Sequence, residues 1–152
     1  MSVNLLVIGA ITPQMQARLE PVFTLHSTSR MDDVPGFLAA EGASIPYVLT
    51  DGHNGVPRAW MDGLPALKLI SNYGVGYDAI NVGLSRQRGG MVTHTPGVLS
   101  DEVATTALML MLAAYRNLLA GDSHVRSGGW VRDGNMALSR SADHRRVGIL
   151  GL

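Results

Sequence analysis

Short apolar runs and helical stretches take turns from the start of the chain to His94. Val3 to Gly9 is an apolar run closed by glycine, the pattern of a strand buried on both faces. Thr12-Pro13 offers a helix cap followed by proline at the first helical position, and Met15, Leu19 and Val22 follow at helical spacing. Phe23 to His26 reads as a second strand. A helix over 32–41 is expected to stop at Gly42, the usual C-terminal place for glycine. Ile45 to Thr50 reads as a third strand, ending at the polar cluster Asp51-Gly52-His53-Asn54-Gly55. A helical turn over 58–61, a strand over 66–71, a helix over 81–88 and a strand over 91–94 complete the series. Strands that alternate with helices in this way predict an α/β fold with a doubly wound parallel sheet. Ligands of such sheets sit beyond the carboxyl ends of the strands, here the loops beginning at Gly9, Asp51, Asn72 and Thr95.

A second region opens at Thr95-Pro96-Gly97. Ser100 is a candidate helix cap, and Asp101 and Glu102 put negative charge where the helix dipole favours it. Val103 to Tyr115 is apolar on nearly every face, so this helix is expected to be buried on several sides. Residues 121–144 carry scattered glycines and charges with little periodicity and read as an extended excursion. Arg146 to Leu152 reads as the start of another buried strand.

Composition narrows the function classes. Twelve Lys+Arg offset twelve Asp+Glu, so no basic excess exists to neutralise a phosphate backbone, and no nucleic-acid partner is expected. At 46% hydrophobic and 16% charged residues the chain is not of the disordered class. The apolar centre from Val103 to Tyr115 falls short of the roughly 18 to 20 residues that span a bilayer, so no membrane partner is expected either. Met1-Ser2-Val3-Asn4 has neither a basic n-region nor a cleavage site, and cysteine is absent; a cytoplasmic protein is expected. The five histidines show no metal-ligand spacing, and no metal site is expected.

Two loops hold candidate chemistry. Gly74-Val75-Gly76 follows a predicted strand, where it is either a tight turn into the next helix or a backbone site for an anion. His53 and Asn54 lie in a glycine-flanked loop at a strand end, which is either a solvated loop built on Asx turns or a ligand contact. Asp78 reads as the cap of a short helix over 79–82, and His94 as a packed residue beside Thr95.

Asn72-Tyr73-Gly74-Val75-Gly76-Tyr77-Asp78, with Ile80-Asn81 after it and Thr95-Pro96-Gly97-Val98-Leu99-Ser100-Asp101-Glu102-Val103-Ala104 downstream, resembles the D-isomer-specific 2-hydroxyacid dehydrogenases. The segment Gly128-Gly129-Trp130 and the closing Val147-Gly148-Ile149-Leu150-Gly151-Leu152 fall in the same order, and the likeness is strongest to the glyoxylate, hydroxypyruvate and hydroxyphenylpyruvate reductases of that family. The resemblance implies two α/β lobes with the active site between them. Residues 1–97 would form a flavodoxin-like substrate-binding lobe. Residues 98–152 would begin a Rossmann NAD(P)-binding lobe, with its opening helix, a dimer arm and first strand. It implies that Gly74, Val75 and Gly76 hold the substrate carboxylate through backbone amides, with His53 and Asn54 closing over it. Val75 and Val103 would touch the nicotinamide end of the cofactor, with plain core packing the alternative for Val103, and Gly151 would open the dinucleotide fingerprint. It implies a homodimer that reduces a small 2-oxoacid with NAD or NADP, the nearest-looking reductases favouring NADP. The family's catalytic Arg, Glu and His have no counterpart within this chain, so the chain by itself is expected to be inactive. A dinucleotide-sensing corepressor of the same architecture and an inert fragment are the alternatives.

Overall fold

Strand-forming runs at Val3–Val7 (β1), Phe23–Ser27 (β2), Tyr47–Asp51 (β3), Leu69–Tyr73 (β4) and Met91–Thr93 (β5) pair into one five-stranded sheet. Every pairing is parallel, and the order is β2-β1-β3-β4-β5. This is the flavodoxin-like order of a doubly wound sheet, with its reversal between β1 and β3. The computed structural model describes residues 2–150, which fall into two compact units, Met1–Val98 and Leu99–Leu152.

Three of the four α-helices described in the first unit start where short polar side chains satisfy their open N–H groups. Thr12 Oγ1 accepts from Met15 N–H ahead of α1 (Pro13–Leu19), and Asp33 Oδ1 from Gly36 N–H ahead of α2 (Val34–Glu41). α3 spans Arg58–Asp62 without such a cap, and α4 spans Val82–Gln87 behind Asn81, whose Oδ1 accepts from Leu84 N–H. Leu6, Ile8, Val48 and Ile70 point to the sheet face covered by α2, α3 and α4, and Met61, Leu64 and Ile80 fill the space between. Leu5, Val7 and Leu49 point to the other face, where Met15 and Leu19 of α1 pack on them. Burial on both faces is what made β1 apolar without alternation.

The second unit holds α5 (Ser100–Tyr115), α6 (Leu118–Arg126) and α7 (Gly129–Asp133). Among the described residues no single helix is long and apolar enough to cross a membrane; α5 and α6 reach that length only together, bent by 62°.

The structure corrects several expectations. The helix does end at Gly42 as expected, but with a right-handed φ of −59°, and the chain runs on into a 3₁₀ turn at Gly42–Ser44. A glycine is needed there because a Cβ would collide with the carbonyl oxygen of Gly63. Asp78 caps no helix. Residues 77–80 form a turn closed by Ile80 N–H on Tyr77 O, and Asn81 does the capping. Ser100 is the first residue of α5 and its hydroxyl caps nothing. No residue of α5 is buried: Val103 is 63% exposed and Met109 57%. Burial of an all-round apolar helix requires surfaces on several sides, and the described residues do not supply them. Residues 121–144, read as an extended excursion, are helical over 121–126 and 129–133 and irregular beyond; Asn117, left-handed at φ 49°, breaks α5 from α6 and hides the continuing helical pattern. Residues 146–150 form no strand, and Ile149 is 71% exposed.

Candidate functional site

β3, β4 and β5 lie side by side and parallel, so the loops that leave their carboxyl ends emerge at one edge of the sheet. The loop after β3 is organised by Asp51. Its Oδ1 accepts from the backbone N–H groups of His53 (3.0 Å) and Asn54 (2.7 Å), and its Oδ2 from Asn54 Nδ2 (2.8 Å). The N–H of Asn54 above all holds the Asp51 carboxyl below its ordinary value. Burial opposes it as the second-largest influence, and the Asn54 side chain, the N–H of His53 and the His53 ring add smaller effects in the lowering direction. The far end of the loop is tied down by buried Thr50, whose Oγ1 donates to Gly55 O at 2.5 Å.

This loop and the one after β4 are fastened together. Val56 pairs with Ile80 as an isolated parallel bridge, and Val56 N–H donates to Ala79 O at 3.2 Å. Gly52 packs against Gly74 and Gly76 so closely that a Cβ on Gly52 would stand 2.6 Å from Gly76 O.

In the loop after β4 all three carbonyls of Gly74-Val75-Gly76 are engaged. Gly74 O accepts from Thr95 N–H (2.9 Å) and from Asn72 Nδ2 (3.2 Å). Gly76 O accepts from Asn72 Nδ2 (2.7 Å), and Val75 O from His94 Nδ1 (2.9 Å). A carbonyl only accepts, so His94 carries its proton on Nδ1. Its ring also meets Tyr77 edge-on, with centroids 4.9 Å apart. The N–H groups of Val75 and Gly76 donate to no acceptor among the described residues, and both residues are exposed. A Cβ on Gly76 would meet nothing nearer than Asp78 Oδ2 at 3.9 Å, so the space over this loop is open.

Of the residues named from sequence, the structure brings Gly74 and Gly76 against Gly52 in the loop of His53 and Asn54. Asn54 spends its amide on Asp51, while His53 is exposed with its ring free of partners among the described residues. Val103 lies in the first turn of α5, in the other unit, and is open to contact. Gly151 lies outside the described residues. Sequence reasoning missed Gly52, Asn72 and His94. Asn72 looked like the first residue of a loop, and only pairing with Thr50 shows it to be in β4 with a buried side chain. What this arrangement offers is hydrogen-bond donation from uncharged backbone to an anionic oxygen. Among the described residues no group of three or more His, Cys, Asp or Glu side chains is placed to hold a metal ion.

The model of the D-isomer-specific 2-hydroxyacid dehydrogenase catalytic domain matches residues 6–147. The chain is 38% identical over 148 residues to the 2-ketogluconate reductase of Gluconobacter oxydans, covering 97% of this chain and 46% of that protein. It is 31% identical over 151 residues to the hydroxyphenylpyruvate reductase of Plectranthus scutellarioides, covering 99% and 48%. Among solved structures, it superposes on a 2-hydroxyacid dehydrogenase from Ketogulonicigenium vulgare with a TM-score of 0.87 at 37% identity, covering 93% of this chain and 45% of that one. An NADPH-dependent glyoxylate/hydroxypyruvate reductase from Sinorhizobium meliloti, in complex with NADP and malonate, gives 0.81 at 35%, covering 95% and 44%. The chain spans about half the length of the curated relatives it matches.

Proposed function

The chain belongs to the D-isomer-specific 2-hydroxyacid dehydrogenases, and on that premise we propose that the whole protein reduces a small 2-oxoacid to the D-2-hydroxyacid with NAD(P)H. In this reading residues 1–97 are the substrate-binding lobe and residues 98–152 begin the cofactor lobe. The observation that carries it is the pair of open N–H groups at Val75 and Gly76, beside carbonyls that are all engaged elsewhere. Two such donors bind the substrate carboxylate and orient the neighbouring carbonyl carbon, with His53 and Asn54 at the rim. The glyoxylate/hydroxypyruvate class is favoured because relatives that the chain matches over most of its length carry that activity in their names. That the Sinorhizobium reductase holds malonate, another small carboxylate, supports the same class.

The nicotinamide cofactor supplies the hydride when bound. Val75 in the first unit and Val103 in the second are each apolar and exposed, a chemistry that suits contact with a nicotinamide ring. The phosphate-binding turn would begin at Gly151. NADP is favoured over NAD by the NADPH dependence of the Sinorhizobium relative. The exposed apolar faces of α5 support a homodimer, and the absence of cysteine from these 152 residues is compatible with the cytoplasm as its compartment.

The test is turnover of NADPH with glyoxylate and hydroxypyruvate by the product of the complete reading frame. In Gly76→Val the added side chain fits the fold but blocks the approach to the two donors. The substrate KM should rise at least about 30-fold, the order of one lost charge-assisted hydrogen bond. An unchanged KM in a folded variant would overturn the cradle.

A further inference from the structure

The peptide bonds of residues 74–77 are trans, and in a trans peptide the C=O and the following N–H point in opposite directions. Holding the carbonyls of Gly74, Val75 and Gly76 therefore turns the N–H groups of Val75, Gly76 and Tyr77 the other way. Two side chains do most of the holding. Asn72 Nδ2 has two hydrogens and serves Gly74 O and Gly76 O, and His94 Nδ1 serves Val75 O between them. Both acceptors of Asn72 are carbonyls, so its amide is oriented with the nitrogen towards the loop.

The cost of this arrangement is visible. Asn72 is 2% exposed and its Oδ1 has no hydrogen-bond partner. An apolar side chain of similar size would avoid that desolvation penalty and would pack as well inside β4. What the amide gives in return is the two bonds to the loop carbonyls, and those bonds serve the loop rather than the core. We propose that Asn72, with His94 as its second clamp, is the positioning residue that aims the backbone donors of the carboxylate cradle. This inference rests on the cradle reading of Val75 and Gly76. It adds that the cradle's direction is set from beneath by side chains that never touch the substrate.

The test uses the product of the complete reading frame and two substrates, a 2-oxoacid and its neutral carboxamide. Asn72→Asp keeps the shape but sets acceptors against the two carbonyls. Asn72→Thr keeps one donor on a residue suited to a strand. His94→Ala removes the second clamp, and His94→Asn restores a donor. Asn72→Asp should raise the KM for the 2-oxoacid at least about tenfold, the lower end of what one charge-assisted hydrogen bond is worth, and change the KM for the cofactor much less. The preference for the acid over the carboxamide should fall with it. Asn72→Thr and His94→Ala should fall between this variant and wild type, and His94→Asn should recover most of the loss. A purely structural role would lower the melting temperature and leave the acid-to-carboxamide preference intact. If Asn72→Asp fails to fold, Asn72→Thr and the His94 pair decide the matter. Unchanged preference in the folded variants, alongside a raised KM in Gly76→Val, would overturn this inference alone. Unchanged KM in Gly76→Val as well would overturn the cradle itself.

Discussion

Gly52 and Gly76 come from different loops, yet a Cβ on Gly52 would lie 2.6 Å from the Gly76 carbonyl oxygen. Real side chains do not approach a backbone oxygen so closely, so the two loops meet only because position 52 is a glycine. Gly52→Ala should push the loop of Gly74–Gly76 outward, costing about 1–3 kcal/mol of stability as overpacking does. If the proposed cradle binds a small carboxylate such as malonate, that binding should weaken with it. Denaturant unfolding and a malonate titration check the two effects, and an alanine variant that matches wild type in both would refute the contact.

The Asp51 carboxylate gives the first loop a pH dependence. Its folded value lies below the ordinary 3.8, so the unfolded chain takes up the proton more readily than the folded one. The stability it contributes is complete above that ordinary value and is lost as pH falls through the lowered folded value. Wild type should therefore be more stable than Asp51→Asn at about pH 6, with the gap closing towards about pH 2. Urea midpoints of both proteins at the two pH values measure this, and a gap independent of pH would contradict it.

Two glycine-to-alanine changes should have opposite signs. Gly42→Ala drives a Cβ into the carbonyl of Gly63 and should destabilise by about 2 kcal/mol or more. Gly121→Ala, inside α6 with nothing within 4 Å of the new methyl, should stabilise that helix by about 0.5–1 kcal/mol. Thermal melts of the two variants give the comparison directly.

Met109 in α5 is 57% exposed beside exposed Leu108, Leu110 and Leu112. In the proposed dimer this helix faces its copy, within an interface of more than about 2,000 Å² as obligate dimers bury. Met109→Glu in the whole protein should shift sedimentation from dimer towards monomer at micromolar concentration. A wild-type protein that sediments as a monomer would remove the dimer from the proposal.

The sequence alone determined the sheet class and most of its elements, because strands buried on two faces and helices buried on one leave different hydrophobic periods. It determined the cap at Thr12, where the signal is a short polar side chain three residues from the N–H it serves, but it put the second cap at Asp78 when Asn81 does that work. It also marked Gly74-Val75-Gly76 as special, since few residue types permit an open backbone at a strand end. Long-range relations were not legible. The reason for Gly42 lies at Gly63, that for Gly52 lies at Gly76, and His94 reaches back to Val75; none of these pairs leaves a local pattern. Whether α5 is buried was beyond the sequence for the same reason. An apolar helix states that it needs a cover, and only tertiary structure decides which surface supplies it. Asn72 shows the division most clearly. Its amide chemistry can be read from one letter, but the direction of that amide depends on the pairing of β4 with β3 and on the fold of the loop above it.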